Sequence, residues 1–229
     1  MKAAKLIILF AVIVVVLIAL RRDGPISATH RVSGASAAEL TLIPRPKSAA
    51  EKIVNGAKKE AIRGVSYDSS YACIDYPSGD VPSDRGACTD VLIRALRNAG
   101  YDLQKLIHED MTRNFRLYPK KWGLTRPDSN IDHRRVPNHL VFMSRFALEL
   151  PKTVTEETRK TWQPGDLVYW ELNFTGTTHC GVISNERNSD GLPLVIHNIG
   201  PCASQEDCLT NWKIIGHFRF PRTHVSERR

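Results

Sequence analysis

The stretch GACTDVLIRALRNAG, residues Gly86 to Gly100, combines a helical repeat with a cysteine near its start. Its apolar side chains recur on one face of a helix with 3.6 residues per turn, and Gly100 ends the pattern. These side chains are Val91, Leu92, Ala95, Leu96 and Ala99. Cys88 falls on the first turn of this predicted helix. It could be a buried apolar residue, half of a disulfide, a metal ligand or a nucleophile.

The overall composition is that of a globular protein. The 229 residues are 42% hydrophobic and 24% charged, which is enough for one domain with a tail. A formal charge of +8 favours acidic partners such as nucleic acid, anionic lipid or an anionic wall polymer. The basic residues are scattered and are not interleaved with aromatic residues, so we expect no nucleic-acid binding. We expect a monomer.

The N-terminal segment predicts export. Lys2 and Lys5 precede an unbroken apolar run at residues 6–20, which is long for a signal-peptide core and short for a membrane span of about 20 residues. We interpret residues 1–22 as a signal peptide or a membrane anchor, with its cleavage left open. The domain would then lie in the periplasm or cell envelope, and the segment would be its contact with the membrane.

The rest of the chain predicts one α+β domain. Residues 23–47 are interpreted as a linker, residues 48–222 as the domain and residues 223–229 as a tail. Besides the helix with Cys88, helical patterns occur at residues 48–64, 102–115 and 140–150. Strand patterns follow at residues 165–174, 178–184, 193–200 and 214–220. Helices that precede a set of strands favour an α+β fold over alternating βαβ units.

Two of the predicted strands carry a histidine each. A hairpin centred near Asn188 would place His179 roughly opposite His197, with both side chains on one face of the sheet. A shift of one residue would place them on opposite faces. Cys180 points away from His179 by strand alternation, so we expect it to be a buried thiol.

These residue types could form a nucleophilic site. A thiol at a helix N-terminus is favoured as thiolate by the helix dipole and the free N–H groups. Such a Cys88 would need a base, His179, and a residue that orients the base, His197. A buried Cys88 with two ordinary strand histidines is the alternative. Zinc binding by the same three residues is another, but their spacing matches no common zinc motif, so we expect no metal and no other cofactor.

The segment IDHRR lies in a long polar loop, a setting that is more often functional than idle. Asp132 with His133 could be a second acid–base pair. Alternatively, Asp132, Arg134 and Arg135 form a charged network that shapes a cleft, binds an anionic substrate group or is purely structural.

The five cysteines leave at least one without a partner in the chain. Cys202 and Cys208 flank the short acidic segment ASQED, and we expect them to form a disulfide in an oxidising compartment. Two free thiols are the alternative. Cys73 and Cys180 could also pair.

A series of motifs between Ala49 and Arg222 carries a resemblance to a known family. In chain order they are GACTDVLIRALRNAGYDLQKLIHEDM, YPKKWGL, NIDHRRVPN, GDLVYWEL, HCGVIS, HNIG and GHFRF. They resemble an uncharacterised family of exported bacterial proteins, domain of unknown function 1287. That family in turn resembles the NlpC-type cysteine peptidases of the papain-like superfamily. The positions that match the NlpC pattern are Cys88, Gly165-Asp166, His179 with Gly181, and His197.

The resemblance implies a fold and an activity. The fold would be papain-like, with the cysteine helix packed on a small antiparallel sheet. The activity would be hydrolysis of amide bonds in peptidoglycan stem peptides, with Cys88, His179 and His197 as catalytic residues. A hydroxyl from Tyr71 or Tyr76 could help the Cys88 N–H to bind the oxyanion. The residues beside the cysteine differ from the NlpC pattern, with Ala87 before it and Thr89-Asp90 after it.

Three other functions remain open at this point. The same cysteine and histidines could pass an acyl group to an amine or alcohol instead of water. The domain could be a non-catalytic binding module of the envelope, or a zinc-binding protein.

Overall fold

The computed structural model describes residues 40–173 and 176–222. The predicted signal peptide or anchor, most of the linker and the C-terminal tail lie outside these residues. No helix within the described ranges is long and apolar enough to cross a membrane.

Four α-helices form in the described part of the chain. They are α1 (Ala49–Arg63), α2 (Cys88–Asn98), α3 (Leu103–Asn114) and α4 (Val136–Phe146). Helix α1 begins with a capping box, in which Ser48 and Glu51 each accept a backbone N–H of the other. It ends at Gly64, whose positive φ of 65° suits the left-handed cap. Single turns of 3₁₀ helix form at Phe115–Leu117, Asp132–Arg134 and Arg159–Thr161.

Six strands form one antiparallel sheet in the order β3-β8-β4-β5-β6-β7. The sheet strands are β3 (Leu148–Glu149), β4 (Leu167–Leu172), β5 (Thr177–Arg187), β6 (Pro193–Asn198), β7 (Ala203–Glu206) and β8 (Lys213–Arg219). A separate parallel pair joins β1 (Ser66–Tyr67) to β2 (Arg85–Gly86). Helices that precede an antiparallel sheet confirm the predicted α+β class.

Strand β7 was not predicted, and its presence bears on two cysteines. It pairs with β6, with Ser204 opposite His197, although its sequence is polar. Cys202 and Cys208 lie on either side of it, and both are free thiols. Four extended residues span about 13 Å, whereas a disulfide needs Cα atoms within about 7 Å. The predicted Cys202–Cys208 disulfide is therefore not formed in this structure.

Side chains alternate between two apolar clusters on the two faces of the sheet. Tyr169 and Cys180 belong to the larger cluster, which includes α2 and α3 residues and Cys88. Trp170 and Ile183 belong to the smaller one, which includes Trp162, Cys208 and Leu209. This alternation has the period of two that β-strands impose. Strand β5 therefore presents Cys180 toward α2 and His179 toward Trp170, so the two side chains point to opposite faces and the Cys180 thiol is buried, as predicted.

A buried carboxylate fixes the start of β4 against β8. Asp166 accepts two hydrogen bonds from Arg219, at 2.7 and 2.9 Å, and its Oδ2 lies 3.0 Å from His217 Nε2. Trp162 stacks on the His217 ring with centroids 3.6 Å apart. The Gly-Asp turn before the strand therefore has a structural role.

We predict that Asp166→Ala lowers the free energy of unfolding by about 3 kcal/mol, because it leaves Arg219 without its buried partner. Glu171→Ala is the matched control. Glu171 also joins β4 to a cation on β8, Lys213, but both side chains are partly exposed. Its removal should cost less than about 1 kcal/mol. Urea denaturation measures both, and equal losses would contradict a structural role for Asp166.

Candidate functional site

Cys88 is the first residue of α2, and its side chain is almost buried, with 7% relative exposure. The N–H groups of a first helical turn have no acceptor within the helix, and they favour a negative charge. The residue before it, Ala87, donates its N–H to Asp90 Oδ2 at 2.7 Å. This bond fixes the chain where it enters the helix.

A buried ion pair holds the first turn of α2 in place. Arg134 donates to both oxygens of Asp90 at 2.8 Å, and both side chains are 3% exposed. Another N–H of Arg134 binds the carbonyl of Ser70 at 2.7 Å. Thr89 Oγ1 donates to the Arg134 carbonyl at 3.2 Å. Asp90 therefore links the cysteine turn to two loops that are distant in sequence.

Asn198, at the end of β6, fixes the strand that leads into the cysteine. Its buried amide donates to the carbonyls of Val65 and Gly86, at 3.0 and 2.9 Å. A Cβ at Gly86 would lie 2.8 Å from the Asp90 Cβ, so only glycine fits there without a shift. These contacts connect the histidine-bearing sheet directly to the residues that precede Cys88.

The hairpin of β5 and β6 brings the two histidines together. Gly181 pairs with His197, so His179 lies two residues along the same face. The His179 Nε2 and His197 Nδ1 atoms are 2.8 Å apart. A Cβ at Gly181 would lie 2.6 Å from Val195 Cγ1 and 3.3 Å from His197 Cβ. The absence of a side chain at position 181 therefore lets β5 lie close to Val195 and His197 of β6. The predicted pairing of the two histidines is confirmed, with His179 two residues away from the position directly opposite His197.

The other nitrogen of His197 faces two groups that follow β6 in sequence. Glu206 Oε2, at the end of β7, lies 3.4 Å from His197 Nε2. Cys208 Sγ lies at the same distance from that nitrogen. The hydrogen bond to His197 lowers the pKa of Glu206 to about 2. Burial, followed by the nearby charges of Glu206 and Asp207, raises the pKa of Cys208 to about 12.

Aromatic rings enclose His179. The Trp170 indole stacks on it with centroids 5.6 Å apart, and Trp212 contacts it edge-on at 5.9 Å. Both histidine rings are nearly inaccessible to solvent. The hydrogen-bonding partners of His179 and His197 are therefore protein groups and not solvent, and the low polarity around the two rings strengthens those hydrogen bonds.

Cys180 and His179 are the two groups that act on the Cys88 thiol to favour its ionised form. The hydrogen bond from Cys180, together with the hydrogen bond and charge of His179, holds the pKa of Cys88 well below its usual value, although burial acts in the opposite direction. Burial, and then the contact with Cys88, raises the pKa of Cys180 well above its usual value. The first thiol is thus the one that ionises, and the second remains a donor.

This arrangement forms a continuous chain of polar groups. A Cys88 thiolate can pair with a His179 imidazolium, whose Nε2–H donates to His197 Nδ1. His197 Nε2–H can then donate to the Glu206 carboxylate. A nucleophile, an adjacent base and an orienting group are the components of a cysteine-based acyl-transfer site.

The two tyrosines proposed from the sequence lie elsewhere. The Tyr71 hydroxyl donates to Asp128 at 3.3 Å and accepts from Asn130 at 3.0 Å, and the Tyr76 ring contacts His108. Neither has a described contact with Cys88. Tyr67, at the end of β1, and the buried Tyr169, on β4, are tyrosines whose pKa burial raises and the charge of Cys88 helps to raise. Burial, and then the charge of Cys88, raises the pKa of Tyr67.

The charged segment after the long loop is mainly internal. Asp132 accepts the Asp128 N–H at 2.6 Å and pairs with Arg135 at 2.9 Å. Asp132 and Arg134 are buried against protein groups, which favours the structural alternative over substrate binding for these two residues. Arg135 lies over the Trp122 ring, 4.0 Å from its centroid. Burial lowers the pKa of His133 to about 3, which does not suit an acid–base pair with Asp132.

The described residues thus define an α+β protein with a helix-borne cysteine and a His–His–Glu chain beside it. A family model described as domain of unknown function (DUF1287) matches residues 54–220, and the chain belongs to that family. The resemblance to this family seen in the sequence is confirmed. Uncharacterized protein YijF of Escherichia coli (strain K12) is 51% identical over 168 residues, which cover 73% of this chain and 80% of that protein. No solved structure matches the chain significantly.

We predict that Cys180→Ala slows alkylation of Cys88 by iodoacetamide at neutral pH by roughly threefold or more, because the thiolate loses a hydrogen-bond donor. At a pH high enough to ionise both forms, the rates should converge. Cys180→Ser keeps a donor and should label faster than Cys180→Ala at neutral pH. Residue-level mass spectrometry of the labelled protein measures these rates. Identical rates in the two variants would show that Cys180 does not support the thiolate.

We also predict that Arg134→Ala lowers the free energy of unfolding by about 3 kcal/mol, because it leaves the Asp90 carboxylate buried and unpaired. Arg85→Ala is the control, since the ion pair of Arg85 with Asp84 is exposed and should contribute less than about 1 kcal/mol. Chemical denaturation compares the two. A folded Arg134→Ala variant with wild-type stability would instead favour a role in binding.

Proposed function

We propose that this protein is an exported cysteine amidase or endopeptidase that hydrolyses amide bonds of peptidoglycan stem peptides. The observation that carries the proposal is the group of polar side chains at the N-terminus of α2: His179 helps to lower the pKa of Cys88, and the His179 Nε2 atom is held 2.8 Å from His197 Nδ1. The order of a cysteine helix followed by antiparallel strands with His179 and His197 supports a papain-like, NlpC-type relationship.

The proposed reaction proceeds through an acyl-thioester. The Cys88 thiolate attacks the amide carbonyl, and the tetrahedral intermediate collapses as His179 gives a proton to the leaving amine. Because His179 Nε2 faces His197, its Nδ1 is the nitrogen available for this transfer. A water molecule then loses a proton to His179 and attacks the thioester, which releases the acid and restores the Cys88 thiolate and the His179 imidazolium.

The oxyanion has two candidate donors. The Cys88 N–H lies at the free end of α2, where the helix dipole favours negative charge. The Tyr67 hydroxyl takes the place of the Tyr71 and Tyr76 hydroxyls proposed from the sequence, because the charge of Cys88 acts on Tyr67 and because Tyr67, unlike the buried Tyr169, is exposed to a substrate.

A groove next to this tyrosine is the proposed substrate site. It has a volume of about 310 Å³ and is lined by Ser66, Tyr67, Asp68, Asp84 and Arg85. Charges of both signs suit a stem peptide, which carries amino and carboxylate groups. The apolar run after Lys2 and Lys5 supports export to the periplasm or cell envelope, where peptidoglycan is found.

We predict that the purified protein releases peptide fragments from isolated peptidoglycan and that Cys88→Ala abolishes their release while the thermal midpoint stays nearly constant. Cys73→Ala removes an exposed thiol and should retain activity. Mass spectrometry of the products identifies the bond that is cut. Adding an amine to the reaction distinguishes hydrolysis from acyl transfer, since a transferred acyl group gains the mass of the amine. Fragments released equally by Cys88→Ala would exclude a cysteine mechanism.

A further inference from the structure

Three side chains with metal-ligating atoms meet on the side of His197 that faces away from His179. They are His197, Glu206 and Cys208, and their ligand atoms all lie within 4.8 Å of one another. The Nε2 atom of His197 is 3.4 Å from both Glu206 Oε2 and Cys208 Sγ. Zinc bonds of about 2.0–2.3 Å in a tetrahedral site place ligand atoms about 3.3–3.7 Å apart. The two distances from His197 fit this range, and Glu206 and Cys208, whose ligand atoms lie within 4.8 Å of each other, would complete the site by an adjustment of their side chains.

The atoms around this cluster also fit a metal site. Metal-bound histidines usually have their second nitrogen held by a hydrogen bond, and here His197 Nδ1 faces His179 Nε2. Glu206 Oε1 accepts a hydrogen bond from Ser204 Oγ, which leaves Oε2 directed at the cluster. His197 and Cys208 are buried, whereas the Glu206 side chain is 46% exposed. The partly exposed Glu206 side chain thus connects the two buried ligand atoms with solvent.

From this geometry we propose that His197, Glu206 and Cys208 form an inhibitory zinc site directly behind the catalytic pair. An imidazole, a carboxylate and a thiolate are a ligand set that suits Zn²⁺. Binding displaces the Cys208 thiol proton into solvent, so the site holds the ion with a thiolate and a carboxylate.

The inhibition follows from the protons on His197 and rests on the proposed function. Without metal, His197 Nε2–H donates to Glu206, and Nδ1 accepts a hydrogen bond from His179. Zinc on Nε2 moves the imidazole proton to Nδ1, which then donates to His179 Nε2. His179 Nε2 must then act as the acceptor, so its proton is released to solvent, and the imidazolium that stabilises the Cys88 thiolate becomes a neutral imidazole.

Zinc titration of the purified full-length protein, in competition with a chromophoric chelator, tests the site. Wild type and Cys88→Ala should bind one equivalent with affinities within about threefold of each other. Cys208→Ser should bind at least about a hundredfold more weakly. Cobalt as a probe should give a thiolate charge-transfer band in the first two proteins and none in Cys208→Ser. Glu206→Gln provides a second comparison if Cys208→Ser does not fold.

The opposite pattern would overturn the proposal. Binding that survives in Cys208→Ser and is lost in Cys88→Ala would place the metal on the catalytic thiol instead. No binding by the wild type would also contradict it.

Alkylation of Cys88 tests the inhibitory effect. Zinc should slow labelling of Cys88 at least tenfold in the wild type. In Cys208→Ser, the labelling rates with and without zinc should be nearly equal. Equal slowing in both, or tight binding without slowing in the wild type, would contradict the inhibitory role. If zinc acts as proposed but the protein cleaves no peptidoglycan, only the proposed function fails.

Discussion

The antiparallel pairing of β5 with β6 is the constraint on which the candidate site depends. With Gly181 opposite His197, the two imidazoles meet on one face of the sheet at 2.8 Å, and a shift of one residue would separate them. Side-chain alternation on β5 then places Cys180 on the face that packs against α2, where it contacts Cys88. A single register thus positions the base, its orienting group and a second thiol around the nucleophile.

The buried charged side chains next to Cys88 are stabilised by an ion pair and by hydrogen bonds to the backbone. Asp90 and Arg134 are both almost inaccessible, and each is fully engaged with partners of opposite polarity. A buried ion pair of this kind adds little net stability, because desolvation offsets the attraction between the charges. Its benefit here is geometric, since it fixes the first turn of α2 against two distant loops. The candidate nucleophile is therefore placed by groups that have no part in the proposed chemistry.

Local patterns in the sequence were sufficient to predict four helices, the four longer sheet strands and the pairing of His179 with His197, although α4 begins four residues before the predicted position and the end of the predicted helix is strand β3. Contacts between distant segments were not predictable in this way. Strand β7 has a polar sequence that is typical of a loop, so the approach of Glu206 and Cys208 to His197 was missed. Tyr67 was missed because nothing in its local sequence distinguishes it from Tyr71 and Tyr76. The Asp90–Arg134 pair joins residues 44 positions apart, and the local spacing of apolar and polar residues does not indicate a contact between such distant positions.

The central claim is that Cys88 and His179 form a thiolate–imidazolium pair. The most direct test is a pH titration of thiolate absorbance, taken as the difference between the wild type and Cys88→Ala. We expect the Cys88 thiolate to form below the usual thiol midpoint of about 8.5 in the wild type. In His179→Ala, the midpoint should shift to higher pH, because the thiolate loses its cationic partner. A wild-type midpoint at or above the usual value, or one that His179→Ala leaves unchanged, would contradict the account.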